Sequence, residues 1–392
     1  MGWKSSSIYS ITKVKQYMAT LIFDNVLSGH HLEYIHYIYN GACKRIGEEF
    51  VFAVPKQEWN NVREKCEWPH ADNIRWVMLD DYECQDVSKG SMLVRCFKLS
   101  RLVKRVALNE NVSKIKLISL AGVIPFLPLM LPGDIKLSGI IYKIYLRAPK
   151  KGFRSLIDKF RYTIMARSRS MDKVFILNDP RSAERLNKIY DSRRFISLAD
   201  PVPQPDMNEV KNLRSILNIP SSAIVFLHFG AMDKRKGTLE ILRALNVMPK
   251  QEHFNRYFIF AGRVGDNLKD QFYSLAKDAE SKGAHIIIRD EFCSYELLHS
   301  LCHTSDVILI PYLLTDLSSG ALGYAALHHK PVIGPASGLI GELINDNNLG
   351  LTLSCINPEM LAKSFSVNIP YEESMYAEKN SIYLFTKTIL DS

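Results

Sequence analysis

DVILIPYLLTDLSSGALGYAALHHKPVIGPASGLIGE, residues 306–342, reads as strand, loop, helix, strand and loop. Residues 306–311 are a short continuous apolar run, the pattern of a strand covered on both faces in a parallel sheet. The loop ends in Ser318, Ser319 and Gly320, and Ser is a good N-cap for the helix predicted over 321–328. Lys330 and Pro331 stop that helix, and residues 331–334 begin the next strand. Backbone N–H groups of Ser319, Gly320 and Ala321 then meet an anion at the carboxyl end of the sheet, where the helix dipole favours a phosphate. Every βαβ unit has such a helix end, so Ser319 suits a plain N-cap equally well.

The same alternation continues on both sides. Strands are expected at 224–229, 257–262, 285–288 and 307–310, with helices at 237–247, 268–281 and 295–303. A last strand at 349–352 and helices at 358–365 and 372–390 finish the chain. Regular strand–helix alternation argues a parallel sheet. Upstream, residues 200–205 (DPVPQP) make a stiff, extended linker. Before it, a strand at 18–23 leads through Asp24 and Gly29 into a helix carrying Leu32, Ile35 and Ile38. Further strands fall at 50–54, 74–79, 116–119, 140–145, 174–178 and 195–198, with helices at 92–108, 153–169 and 181–190. The expected class is α/β, with two doubly wound, Rossmann-like domains. Residues 117–131 are the most apolar window and contain Pro125 and Pro128. That window is short for a membrane span, so a buried strand plus helix is expected, with a membrane-dipping segment as the alternative.

A chain of 392 residues holds two ordinary domains, and 47% apolar with 23% charged residues is a globular composition. The seven Cys are odd in number and scattered, with no Cys-x2-Cys, so neither a disulfide framework nor a zinc site is expected. No apolar run of the signal-peptide kind precedes Met18, and a cytoplasmic protein is expected. The net charge of +9 is uneven: residues 1–200 hold 33 Lys and Arg against 20 Asp and Glu, the remainder 17 against 21. A basic first half suits an anionic membrane surface, a diphosphate-bearing acceptor or a nucleic acid, and a solvated basic face is the plainer reading. No aromatic interleaving or known motif accompanies the charge, so no nucleic-acid partner is expected.

Residues 306–342 resemble the donor-binding segment of the family 4-like, retaining glycosyltransferases with the GT-B fold (glycosyl transferases group 1). Those carry Glu-x7-Glu, a Gly, Lys-Pro-Val and a Gly-rich loop ending in Glu. Lys330, Pro331 and Val332 match, as do Gly338, Gly341 and Glu342. The two Glu positions fall on Asp316 and Tyr324, and His329 stands at the Gly. Gly230 to Gly237 resembles the family's first donor loop, Gly-Arg…Lys-Gly, with Ala231 at the Arg and Lys236 at the Lys. The resemblance implies an acceptor-side domain at 1–200 and a nucleotide-sugar domain at 201–370, facing each other across a cleft. It also implies a final helix at 371–392 crossing back to the first domain.

The chemistry needs such residues. A nucleotide sugar departs as a nucleoside diphosphate, and a fixed cation stabilises the charge that builds on its phosphate oxygens. Lys236 is the candidate, with Lys234, Arg235 or Arg263 standing in for the missing Arg; an exposed loop lysine is the bland alternative. Asp316 is placed to select sugar hydroxyls, Ser318, Ser319 and Gly320 to hold the distal phosphate. Tyr324 stands where the family binds ribose. Glu342 is expected at the start of its helix, either reaching the donor or complementing the helix end. His30 and His31, after Gly29 and beside Glu33, are acceptor-side candidates for taking or orienting the acceptor hydroxyl proton, or are packing residues. If Lys236 and Ser319 grip one diphosphate, they must stand at the same end of the sheet. No metal and no cofactor is expected, the nucleotide sugar being a co-substrate.

The expected function is transfer of a sugar from a nucleotide-sugar donor to a glycan or lipid-linked acceptor in polysaccharide assembly, peripheral to an anionic membrane face. A nucleotide-sugar 2-epimerase and a non-catalytic partner subunit of the same fold are the rivals.

Overall fold

A computed structural model describes residues 19–149, 151–369 and 371–392. They form two compact units: the chain through Gly139 with Ser168–Asp172, and Ile140–Arg167 with Lys173–Ser392. Met18, the expected start of the first strand, lies outside the described residues.

The first half runs β1 (Thr20–Phe23), α1 (His30–Cys43), β2 (Phe50–Pro55), α2 (Lys56–Val62), β3 (Ile74–Leu79), α3 (Asp81–Val87), α4 (Met92–Asn109), β4 (Lys114–Leu117), α5 (Phe126–Met130) and β5 (Lys136–Ile141). It continues with α6 (Phe153–Arg167), β6 (Met171–Leu177), α7 (Pro180–Tyr190) and β7 (Phe195–Leu198). The sheet order is β3-β2-β1-β4-β5-β6-β7. The pairings of β1 with β2 and β4, of β2 with β3, of β4 with β5 and of β6 with β7 are parallel. The chain leaves β1 towards β2 and returns to β4 on its other side, so the strand order reverses beside β1. In open α/β sheets the crevice for ligands lies at such a point.

The second sheet follows the same plan. Its elements are β8 (Ile224–Phe229), α8 (Thr238–Val247), β9 (Arg256–Ala261), α9 (Lys269–Ser281), β10 (His285–Arg289), α10 (Tyr295–Thr304), β11 (Val307–Leu309), α11 (Gly320–Leu327), β12 (Val332–Pro335), α12 (Gly338–Asp346) and β13 (Gly350–Leu353). Then come α13 (Pro358–Ser364), α14 (Tyr376–Lys379) and α15 (Ile382–Leu390). The order β10-β9-β8-β11-β12-β13, all parallel, reverses between β8 and β11. Alternate residues of one strand enter opposite cores. Val225 and Leu227 pack with Leu322, Ala325 and Ile340, whereas Phe226, Phe258 and Phe260 pack with Leu242, Leu245 and Phe272. Both faces are covered, which is why these strands are continuous apolar runs.

Two expectations are corrected and a third, the apolar window, is met in outline. The strand expected over 140–145 is β5, which runs earlier and ends at Ile141, with a loop carrying Arg147 behind it. The apolar window 117–131 is the end of β4, a 3-10 turn and the short α5; no helix among the described residues is long and apolar enough to cross a membrane. The helix expected over 372–390 is two. The Asn380 side chain donates to the Tyr376 carbonyl and accepts from the Asp200 N–H, and Ser381 caps α15 through the Leu384 N–H. The linker is anchored at the same place: Val202 is buried and its N–H donates to the Asn380 carbonyl.

Candidate functional site

The candidate donor site lies at the carboxyl ends of β8, β11 and β12. Its three loops are stapled by backbone bonds. The Leu313 N–H donates to the Arg235 carbonyl at 2.9 Å, and the Ile340 N–H to the Thr315 carbonyl at 3.1 Å. Two glycines make this approach possible. Gly237 has φ +69° and a Cβ there would lie 1.9 Å from the Pro311 carbonyl oxygen; Gly230 has φ +94° and a Cβ would lie 2.5 Å from Lys236 Nζ. L side chains avoid such backbone angles.

Lys236 is half-buried, its ammonium 3.5 Å from the Phe229 carbonyl and 5.4 Å from the centre of the Tyr312 ring. The Tyr312 hydroxyl in turn accepts from Ser319 Oγ at 3.2 Å. Lys236 and Ser319 therefore stand at the same end of the sheet, joined by one tyrosine. Neighbouring Asp233 takes the Lys236 N–H and the Arg235 guanidinium, at 3.0 and 3.1 Å. Among the described residues Lys236 itself has no carboxylate partner, which leaves its charge for a ligand.

Ser319 opens α11, but its hydroxyl makes no capping bond. Turned to Tyr312, it leaves the first N–H groups of the helix without a side-chain cap, and these are the donors that receive anions. Asp316 is half-buried in the loop before it. Ser318 is differently employed: its hydroxyl donates to Asp200 at 2.7 Å and accepts from the Asn178 amide at 3.1 Å. Gly320 is exposed.

Tyr324 lies inside, 7% exposed, its ring 5.5 Å from Phe229 and 4.7 Å from His299. His299 and His328 face each other through Nδ1 and Nε2 at 2.9 Å, and burial holds both down at about 4. His329, at the family's Gly, adopts φ +53°, so the backbone keeps the left-handed turn although the residue has changed. Glu342 is in the second turn of α12, not at its start. Both its oxygens accept from Arg147, at 2.5 and 2.7 Å, and Arg147 also forks onto Asp179. Sequence reasoning passed over Tyr312, Asn178 and the partner role of Arg147. Asp179-Pro180, a cap followed by proline at the first helical position, was the one local signal that a shaped loop stood there.

The candidate acceptor-side loop follows β1, beside the reversal in the first sheet. Asp24 is 2% exposed and Asp24 Oδ2 is 2.6 Å from His31 Nδ1. Burial raises the Asp24 carboxyl despite His31. Burial alone would lower His31, but the bond and charge of Asp24, with Glu58, raise it overall. His30, desolvated and beside the His31 charge, falls to about 4. The two adjacent histidines are thus shifted in opposite directions, which favours dividing acid and base roles between them. Gly29 precedes α1 with φ +60°, and Glu33 lies half-buried in its first turn. Among the described residues no group of three or more His, Cys, Asp or Glu is placed to hold a metal ion.

Residues 209–367 match the family described as glycosyl transferases group 1. A glycosyltransferase from Rickettsia africae ESF-5 is 15% identical with a TM-score of 0.67, covering 96% of this chain and 97% of that one. Anabaena Alr3699/HepE, solved in complex with UDP and glucose, is 14% identical with a TM-score of 0.64, covering 95% and 98%. The UDP-GlcNAc 2-epimerase from Methanocaldococcus jannaschii is 13% identical with a TM-score of 0.59, covering 96% and 99%. At such identities the likeness shows the fold. No curated protein matches the sequence.

Proposed function

Since residues 209–367 belong to the glycosyl transferases group 1 and both sheets have the GT-B glycosyltransferase fold, we propose that this chain moves a sugar from a nucleoside-diphosphate sugar to a glycan or lipid-linked hydroxyl. The observation that carries this is Lys236 linked through Tyr312 to Ser319 at the point where the strand order reverses. The diphosphate lies between the Lys236 ammonium and the N–H groups at the start of α11. As the glycosidic bond breaks, charge grows on the phosphate oxygens facing both, and both interactions strengthen in the transition state. Lys236 supplies the cation, so the reaction is proposed to run without a metal. Asp316 accepts hydrogen bonds from sugar hydroxyls, and retention of configuration follows the family.

On the acceptor side, His30 is the neutral ring that receives or orients the acceptor hydroxyl proton, while His31 is held against Asp24. Gly29 lets the loop present both, and Glu33 flanks them. A second reading has one observation in its favour. Tyr324, at the family's Glu, is packed in the core and Glu342 is tied to Arg147, so neither position offers a free carboxylate to ribose. A partner subunit that binds a nucleotide without transferring sugar would fit that.

Nucleotide release from UDP-, GDP- and dTDP-sugars, with and without acceptor glycans, separates the readings. Release with one donor, lost in Lys236→Ala, supports transfer. Nucleotide binding without release supports the partner subunit, an isomerised nucleotide sugar the epimerase. No nucleotide binding at all ends the donor-site reading.

A further inference from the structure

The surface of α6 carries a feature that sugar transfer does not use. Its inner face is closed: Asp158, Tyr162, Met165 and Ala166 are buried, and the Tyr162 ring packs on Tyr145 at 4.7 Å. Its outer face is open. Phe153, Leu156 and Phe160 are 76, 61 and 56% exposed. Spacings of three and four residues put them on one stripe of the helix. Lys151 and Arg154 lie exposed at its beginning, Lys159 at its middle and Arg167 at its end. The one acidic residue of the helix, Asp158, points inward. The outer face therefore presents large apolar groups among cations, and among the described residues of the helix none exposed is acidic.

Three exposed apolar side chains so close together need an occupant. A second copy or an ordinary protein groove would cover the apolar stripe, but four cations around it ask for a dense field of negative charge. The basic α4 differs on this point, because Lys98 and Arg105 are already paired with Asp86 and Glu83. We propose that α6 rests in the headgroup layer of an anionic lipid surface, with Phe153, Leu156 and Phe160 in the acyl boundary and Arg154, Lys159 and Arg167 on lipid phosphates. A helix in that position gains from buried apolar area and from charge together. The inference rests on this face alone and does not depend on the donor site.

The full chain is floated with vesicles of phosphatidylcholine, and with vesicles in which about one lipid in three is phosphatidylglycerol, a proportion that sets a substantial negative surface potential. Binding is expected to the anionic vesicles only, and to weaken as salt screens the charge. Phe153→Ser with Phe160→Ser, and separately Lys159→Glu with Arg167→Glu, are each expected to weaken binding about tenfold or more. These side chains are exposed, so the thermal midpoint should not move. No flotation, equal flotation on both vesicles, or unchanged flotation of either variant overturns the proposal. So does a concentration-dependent dimer that the Phe153→Ser, Phe160→Ser variant abolishes, which would assign the face to a second copy.

Discussion

Arg147 and Glu342, 195 positions apart in the chain, are joined by two parallel hydrogen bonds of 2.5 and 2.7 Å. The same guanidinium forks onto Asp179 at 2.7 and 2.9 Å, and the Asp179 side chain is wholly buried. Burial would raise the Asp179 carboxyl, but Arg147 and Ser182 hold it below the usual range. Asp179 depends on this one cation, whereas Glu342 also has Arg181 at 3.7 Å. The pair fixes α12, whose first turn lies against the Thr315 loop, to the end of β6.

Arg147→Ala is expected to cost about 3–5 kcal/mol in urea unfolding, because it leaves buried Asp179 charged and unpaired. Arg147→Lys should recover only part, since a point charge cannot fork onto two carboxylates. A depressed acid stabilises the fold above its unfolded value and loses that contribution as pH falls through its folded value. In Arg147→Ala burial is opposed only by the Ser182 bonds, so the Asp179 carboxyl rises and the deficit against the parent should shrink as pH falls. A loss under about 1 kcal/mol, the range of an exposed pair, would mean that the fork is not holding Asp179.

The histidines after β1 should titrate apart. Proton titration followed by NMR is expected to show His30 neutral down to about 4 and the His31 midpoint raised above the ordinary 6.5. A raised histidine stabilises fully below its unfolded value, and that contribution fades as pH rises through its folded value. In Asp24→Asn, His31 should fall below 6.5, since burial is then unopposed apart from Glu58. Two coincident titrations near 6.5 would remove the division of roles.

Substitutions at the two donor-loop glycines should be distinguishable. Gly237→Ala sets a methyl against a carbonyl in the backbone and at positive φ, and is expected to cost about 1–3 kcal/mol of stability. Gly230→Ala shares the strain of positive φ but otherwise meets only the tip of Lys236, which can move. It should displace the ammonium and weaken nucleotide binding more than stability. Equal losses of stability from both would contradict the geometry.

The buried histidines of the second half should make the fold acid-sensitive. Burial, the largest cause in each, lowers His228, His299 and His328 to about 4. Unfolded, each binds a proton near 6.5, so stability should fall as pH drops from 6.5 towards 4. His299→Phe combined with His328→Leu should flatten that slope in thermal melts across this window. An unchanged slope would place the acid response elsewhere.

The second sheet was legible because its signals are local. Apolar runs such as 224–229 and 307–310 must be covered on both faces, and turns and caps mark where each ends. Lys236, Gly237 and Ser319 could be set at one end of that sheet because every parallel strand delivers its following loop to the same edge. The turn at His329 was hidden: the residue lacks the glycine signature, yet its backbone is left-handed at φ +53°.

The sequence by itself determined two parallel sheets, the chain order of their strands, and a loop lysine and a serine-led helix end at one edge. Periodicity and breakers act within a few residues, so they survive without coordinates. Tertiary structure alone decided which side chains those loops retain for a ligand. Ser318 goes to Asp200 and Asn178, Glu342 goes to Arg147, and Tyr312 joins Lys236 to Ser319. Each of these depends on a partner far along the chain or across a turn, and on burial that strengthens one hydrogen bond over another, which no local pattern of residues encodes.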